Sequence, residues 1–124
     1  MPQLLAIALG GAVGALLRFG AIRGVETLAG RDLPYGTLTV NVIGSFLVGL
    51  LTILLVDRLS LDPVWRLGLL VGVLGAFTTF STFSMETMRL LESGRTLAAL
   101  GNAASSVAFC LVATWIGLSV GRQL

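Results

Sequence analysis

Charged residues punctuate the chain at wide intervals, and the stretches between them are almost wholly apolar. Tyr35–Val56, Leu67–Met85 and Thr96–Gly121 contain no charge at all, and Met1–Leu17 is uncharged up to Arg18. About 20 apolar residues cross a bilayer core as a helix, so the pattern predicts four transmembrane helices, the first continuing past Arg18. The opening Met-Pro-Gln has no basic segment, and no small-residue cleavage site precedes Arg18, so the first stretch reads as a retained span and not a signal peptide. The connections, Glu26–Pro34, Asp57–Pro63 and Glu92–Arg95, are too short for a soluble domain. Gly94 reads as a helix C-cap and Asp62-Pro63 as a helix start, with Trp65 at headgroup depth. The expected architecture is all-α, with residues 1–124 forming a single four-helix transmembrane domain.

Composition agrees. Of 124 residues, 56% are hydrophobic and 11% charged, against about 25% charged in a soluble domain. There is no histidine, and Cys110 is the one cysteine, which excludes a disulfide framework, a His- or Cys-based metal cage and a His-dependent triad. The pI of about 9.5 comes from eight dispersed arginines, no two adjacent, so it is a membrane-flank signal and not a nucleic-acid surface. Sixteen glycines include the pairs Gly10/Gly14, Gly20/Gly24, Gly68/Gly72 and Gly117/Gly121. Small residues four apart allow close helix approach, and all four pairs are expected to pack helices together.

Flanking charge does not choose an orientation. With four spans the termini and the 57–63 loop share one side, which carries Arg58, Arg66 and Arg122; the other carries Arg23, Arg31 and Arg95, with Arg18 and Arg89 deeper. The positive-inside rule is close to a tie. Either another feature sets orientation, or the chain inserts both ways and forms antiparallel dimers.

The third span holds the densest polar signal. Thr78, Thr79, Ser81, Thr82 and Ser84 interleave with Phe80 and Phe83. On a helix the two rings share one strip, with Ser81 and Ser84 beside it. Each hydroxyl could simply bond back to the carbonyl one turn earlier, but five in seven residues point to a lining. Hydroxyl donors and positive ring edges, with no acid before Glu86, suit a small anion. Asn41 and Ser45 in the second span and Ser105 and Ser106 in the fourth add donors. Arg18 and Arg89 are candidates for drawing anions to a mouth, and Glu86 for pairing with Arg89. The β-branched Thr78-Thr79 after Gly75-Ala76 is a poor place for regular helix, so a break is expected there, its freed carbonyls able to hold a cation.

These residues closely resemble the fluoride channel family (Fluc/CrcB). The matching pieces are Gly11–Ala15 with Arg18, Gly36–Asn41 with Gly44-Ser45-Phe46, and Gly75 through Glu86 including TTFSTFS. The resemblance implies a broken third helix, an antiparallel dual-topology homodimer, and a fluoride-selective channel of a bacterial plasma (inner) membrane. Fluoride would come in as HF, dissociate, and leave the cytoplasm passively as the anion. By position, Phe80 and Phe83 are the aromatic box; Asn41, Ser81, Thr82, Ser84 and Ser106 are polar pathway residues. Arg18 and Glu86 are candidates for an anion vestibule. The main-chain carbonyls of Gly75 and Thr78 would hold a structural Na⁺, not transported, at the dimer centre. Ala76, where many members have glycine, and Asn102, where an aromatic is expected, depart from the pattern. The rival is a small dual-topology multidrug or cation transporter, which needs a carboxylate within its first span. Here that span has no acid before Glu26.

Overall fold

The computed structural model describes the whole chain, Met1–Leu124, and it is entirely helical. Helix α1 is Pro2–Ala29 and α2 is Tyr35–Arg58. The third span is in two pieces: α3, residues 63–77, and α4, Phe80–Glu92. Helix α5 is Thr96–Gln123. All four spans are long and apolar enough to cross a membrane, and the first does run on past Arg18 to Ala29.

Local chemistry sets the ends. Pro2 and Pro63 sit in first turns, where a missing N–H costs nothing. Asp62 caps α3, its carboxylate accepting from Val64 N–H at 2.9 Å. Gly30 and Gly94 both have φ of +82°, which glycine adopts without strain, so the reversals after α1 and α4 occur at glycine, whereas the one between α2 and α3 has Ser60 at φ +48°. Arg95 grips Asp32 at 3.0 Å, tying the 30–34 and 93–95 loops together on one side. On the other side the Arg58 guanidinium donates to the Arg122 carbonyl. The alternation of sides expected from four spans therefore holds.

Helices pack in non-sequential pairs, α2 against α5 and α1 against α3. Glycine is the reason in both. A Cβ on Gly72 would lie 2.9 Å from the Ile7 carbonyl oxygen, and one on Gly14 would lie 3.0 Å from Val73 Cα. In the α2–α5 seam a Cβ on Gly117 would meet the Phe46 backbone, and one on Gly49 would meet Thr114. Gly20 and Gly24 behave otherwise: nothing lies within 4 Å of either, so this pair makes no close helix approach within the subunit, contrary to expectation. Its spacing matches the others, but the α1 face it occupies has no partner. The bilayer replaces a large core: Val40 is the one large side chain fully buried, while Leu4, Leu9, Leu16 and Trp115 are exposed along the outer faces.

Candidate functional site

The break falls at Thr78-Thr79. Both are extended, with ψ of 159° and 120°, whereas Gly75 remains helical, so the interruption begins later than Gly75. Two devices hold it open. Asn41, projecting from α2, donates from Nδ2 to the Thr79 carbonyl at 2.9 Å and accepts the Thr79 N–H at Oδ1 at 2.8 Å. Thr79 then caps α4, its hydroxyl oxygen accepting from Thr82 N–H at 3.2 Å. An extended peptide inside a bilayer survives only where its polar groups find partners, and Asn41 supplies both for Thr79.

Around the break is a cavity of about 440 Å³. Asn41, Gly75, Thr78, Phe80, Phe83 and Ser106 all line it, so residues from the second, third and fourth spans that the sequence singled out converge on one space. The Phe80 and Phe83 rings lie 5.3 Å apart between centroids and are tilted by 48°. Ser106 is buried on α5, and Cys110, one turn further on, lines the same wall. No carboxylate is among the lining residues.

Ser81, Thr82 and Ser84 do not line this cavity. Ser84 gives its proton to the Phe80 carbonyl at 2.9 Å, and Thr78 gives its own to the Leu74 carbonyl at 3.1 Å, the plain back-bonding of helical hydroxyls. Ser81 and Thr82 instead gather on Thr79, with Oγ–Oγ1 and Oγ1–Oγ1 distances of 3.3 and 3.1 Å. Three hydroxyl protons serve these two contacts, so one stays available to donate elsewhere. Thr79 and Cys110 carry no pathway or ligand role in the reading of the sequence. Thr79 was legible as one of a run of hydroxyls, but its pivotal place depends on Asn41, 38 positions away.

Glu86 lines a different cavity, of about 450 Å³, at the end of the molecule where α1, α2 and α4 meet. Glu26, Arg31, Asp32, Arg89 and Arg95 share it. Arg31 pairs with Glu26 at 3.1 Å and Arg95 with Asp32, but Glu86 forms no ion pair with Arg89. They stand three positions apart on the helix, yet Glu86 turns inward; its Oε1 and the Thr37 hydroxyl are buried without hydrogen-bond partners. Arg18 is half-buried on α1 and does not line this space. Asn102, where an aromatic is expected, donates to the Thr87 hydroxyl at 2.9 Å and joins α5 to α4.

Residues 5–118 match the family described as CrcB-like protein, Camphor Resistance (CrcB). A protein of Geobacter sulfurreducens named fluoride-specific ion channel FluC is 52% identical over 124 residues, covering the whole of both chains. One of Magnetococcus marinus with the same name is 49% identical over 98% of this chain and 99% of its own length. A Methylococcus capsulatus protein, likewise named, is 51% identical over 98% of this chain, which spans about half (54%) of that longer protein. With the family matched over nearly its full length and four helices of membrane-spanning character, the chain belongs to the CrcB-like family and is a multi-pass bacterial membrane protein.

Proposed function

We propose that the chain forms a fluoride-selective channel that exports the anion passively from the cytoplasm. The observation that carries this reading is the convergence of Phe80, Phe83, Asn41 and Ser106 on one cavity at the break in the third span. Fluoride inside a bilayer must exchange its hydration shell for other donors. Ring edges carry partial positive charge, and the Ser106 hydroxyl and the remaining Asn41 N–H are donors. Helix α4 also begins here, its positive end in the bilayer interior. The absence of a carboxylate from the lining argues against cation transport. The names of the full-length relatives agree with an anion of this kind.

The working unit in this reading is an antiparallel, dual-topology pair of identical subunits. Phe80 is 77% exposed although it lines the cavity, so the lining is open on one flank until a second copy covers it. The near-tie in flanking arginines supports insertion both ways.

A structural sodium ion at the two-fold fits the residues present. The Gly75 and Thr78 carbonyls border the same cavity, and neither receives a backbone N–H. Two such carbonyls from each subunit would offer oxygen ligands without formal charge, which suits a monovalent ion better than Mg²⁺ or Ca²⁺. When bound, the ion would neutralise these dipoles and join the two breaks.

The test is fluoride efflux from liposomes containing purified protein, run beside chloride. The wild type should pass fluoride and not chloride. Phe80→Ile and Phe83→Ile keep apolar bulk but remove the ring edge, and each should assemble while losing most fluoride flux. Normal flux in both variants would reduce the rings to packing.

A further inference from the structure

The Gly75 and Thr78 carbonyls are free for an identifiable reason. In an unbroken helix the Thr79 N–H would donate to the Gly75 carbonyl and the Thr82 N–H to the Thr78 carbonyl, each four residues back. Both donors are diverted by side chains. Thr79 N–H goes to Asn41 Oδ1 at 2.8 Å, and Thr82 N–H goes to Thr79 Oγ1 at 3.2 Å. The break leaves the Ala76 and Phe77 carbonyls without a backbone N–H as well, and the Gly75 and Thr78 carbonyls, freed by these two side chains, are the pair that would hold the cation.

We propose that Asn41 and Thr79 are positioning residues for that cation: they occupy the two N–H groups that would otherwise close the helix over its ligands. The proposal rests on the sodium reading above. Asn41 is suited to the task because it bonds both main-chain groups of Thr79, with Nδ2 on the carbonyl at 2.9 Å as well as Oδ1 on the N–H. The two peptide units flanking the Thr79 Cα cannot rotate back into helical register without losing these bonds. Ordinary helix capping accounts for the Thr79 hydroxyl but not for Asn41, which reaches across from α2. Thr79 itself is buried, so water is not at hand to replace either diverted donor. Both residues border the cavity, which places the freed oxygens and the devices that free them in one space. In this account Asn41 acts chiefly through the backbone of the break, and its one remaining N–H is what it offers to an anion.

A capping role and a positioning role separate by their dependence on sodium. Wild type, Thr79→Val, Asn41→Leu and Thr79→Ser are purified and equilibrated with radioactive sodium, and retained ion is counted after gel filtration. Thr79→Val keeps shape and removes the hydroxyl, so the Thr82 N–H returns to the Thr78 carbonyl. Sodium retention should fall about tenfold or more in Thr79→Val and Asn41→Leu, the equivalent of one lost interaction of about 1.4 kcal/mol. Thr79→Ser, which retains the hydroxyl, should stay close to the wild type. Retention at the wild-type level in both disruptive variants overturns the proposal, as does a serine variant as poor as the valine one. A wild type that holds no sodium overturns the sodium reading and this inference with it, while leaving fluoride efflux to stand separately. Should neither disruptive variant assemble, carbonyl ¹³C shifts of Gly75 and Thr78 in labelled wild type decide. They should move when sodium is replaced by N-methylglucamine, with the Thr79 and Thr82 amides unmoved; still carbonyls would refute the assignment.

Discussion

Replacing Gly14 and Gly20 by alanine in turn should have opposite consequences, although both lie on α1 in pairs of identical spacing. An alanine Cβ at Gly14 would lie 3.0 Å from Val73 Cα and closer still to the Val73 carbonyl. Those are backbone atoms, so no side-chain rotamer can relieve the overlap. Carbon atoms rest about 3.5–4.0 Å apart, so α1 and α3 must separate by at least about half an ångström at this point. Dispersion contacts along the seam weaken steeply over that distance, and overpacking of this kind costs about 1–3 kcal/mol. At Gly20 nothing lies within 4 Å of the added carbon. There the change adds no clash and removes backbone freedom, a gain of up to about 1 kcal/mol in a helix. Thermal unfolding in detergent, followed by the fraction surviving gel filtration after heating, reads the difference. Gly14→Ala should unfold at a clearly lower temperature than the wild type, and Gly20→Ala at the same temperature or higher. Equal stability of the two variants would refute the seam geometry. Marked destabilisation by Gly20→Ala would instead point to a packing partner on that face outside the subunit.

Antiparallel insertion should leave a C-terminal tag reachable from both sides of the membrane across a population of cells, and labelling from one side alone would dismiss the dual topology. Breaking the Asp32–Arg95 pair with Arg95→Ala should cost less than about 1 kcal/mol, because the two side chains are 41% and 81% exposed and solvent screens the pair. A larger loss of thermal stability would mean that this loop contact organises the ends of α2 and α5 beyond its charge.

Much of the site was legible residue by residue. Phe80 and Phe83 share a strip because a helical repeat of three to four residues puts them there, and the rings are indeed neighbours. The run of hydroxyls was a sound signal of an unusual segment, but not of what each member does. Ser84 and Thr78 spend their protons on carbonyls one turn back, while Thr79, Ser81 and Thr82 bond one another. Local spacing admits all these outcomes, because each Ser or Thr has a carbonyl, a neighbouring hydroxyl and a cavity within reach. The expected Glu86–Arg89 pair has the right spacing and still does not form, since Glu86 turns inward and its Oε1 is buried without a partner. Helical spacing states which side chains are within reach, not which way they turn.

Element number, the ends of the loops and the membrane character follow from one-dimensional facts: uncharged runs of bilayer length, prolines where a helix can begin, glycines where φ must be positive. These need no knowledge of what packs where. Helix pairing and the location of the break are different in kind. Gly10/Gly14 and Gly20/Gly24 are indistinguishable along the chain, and the first pair packs because α3 runs beside it while the second has no neighbour. The break could have opened anywhere from Gly75 to Thr79. It opens at Thr78-Thr79 because Asn41, on another helix, stands opposite the Thr79 peptide and satisfies its N–H and carbonyl together. In a bilayer an extended peptide is tolerated only beside such a partner, and that partnership exists only once α2 and the third span have been brought side by side.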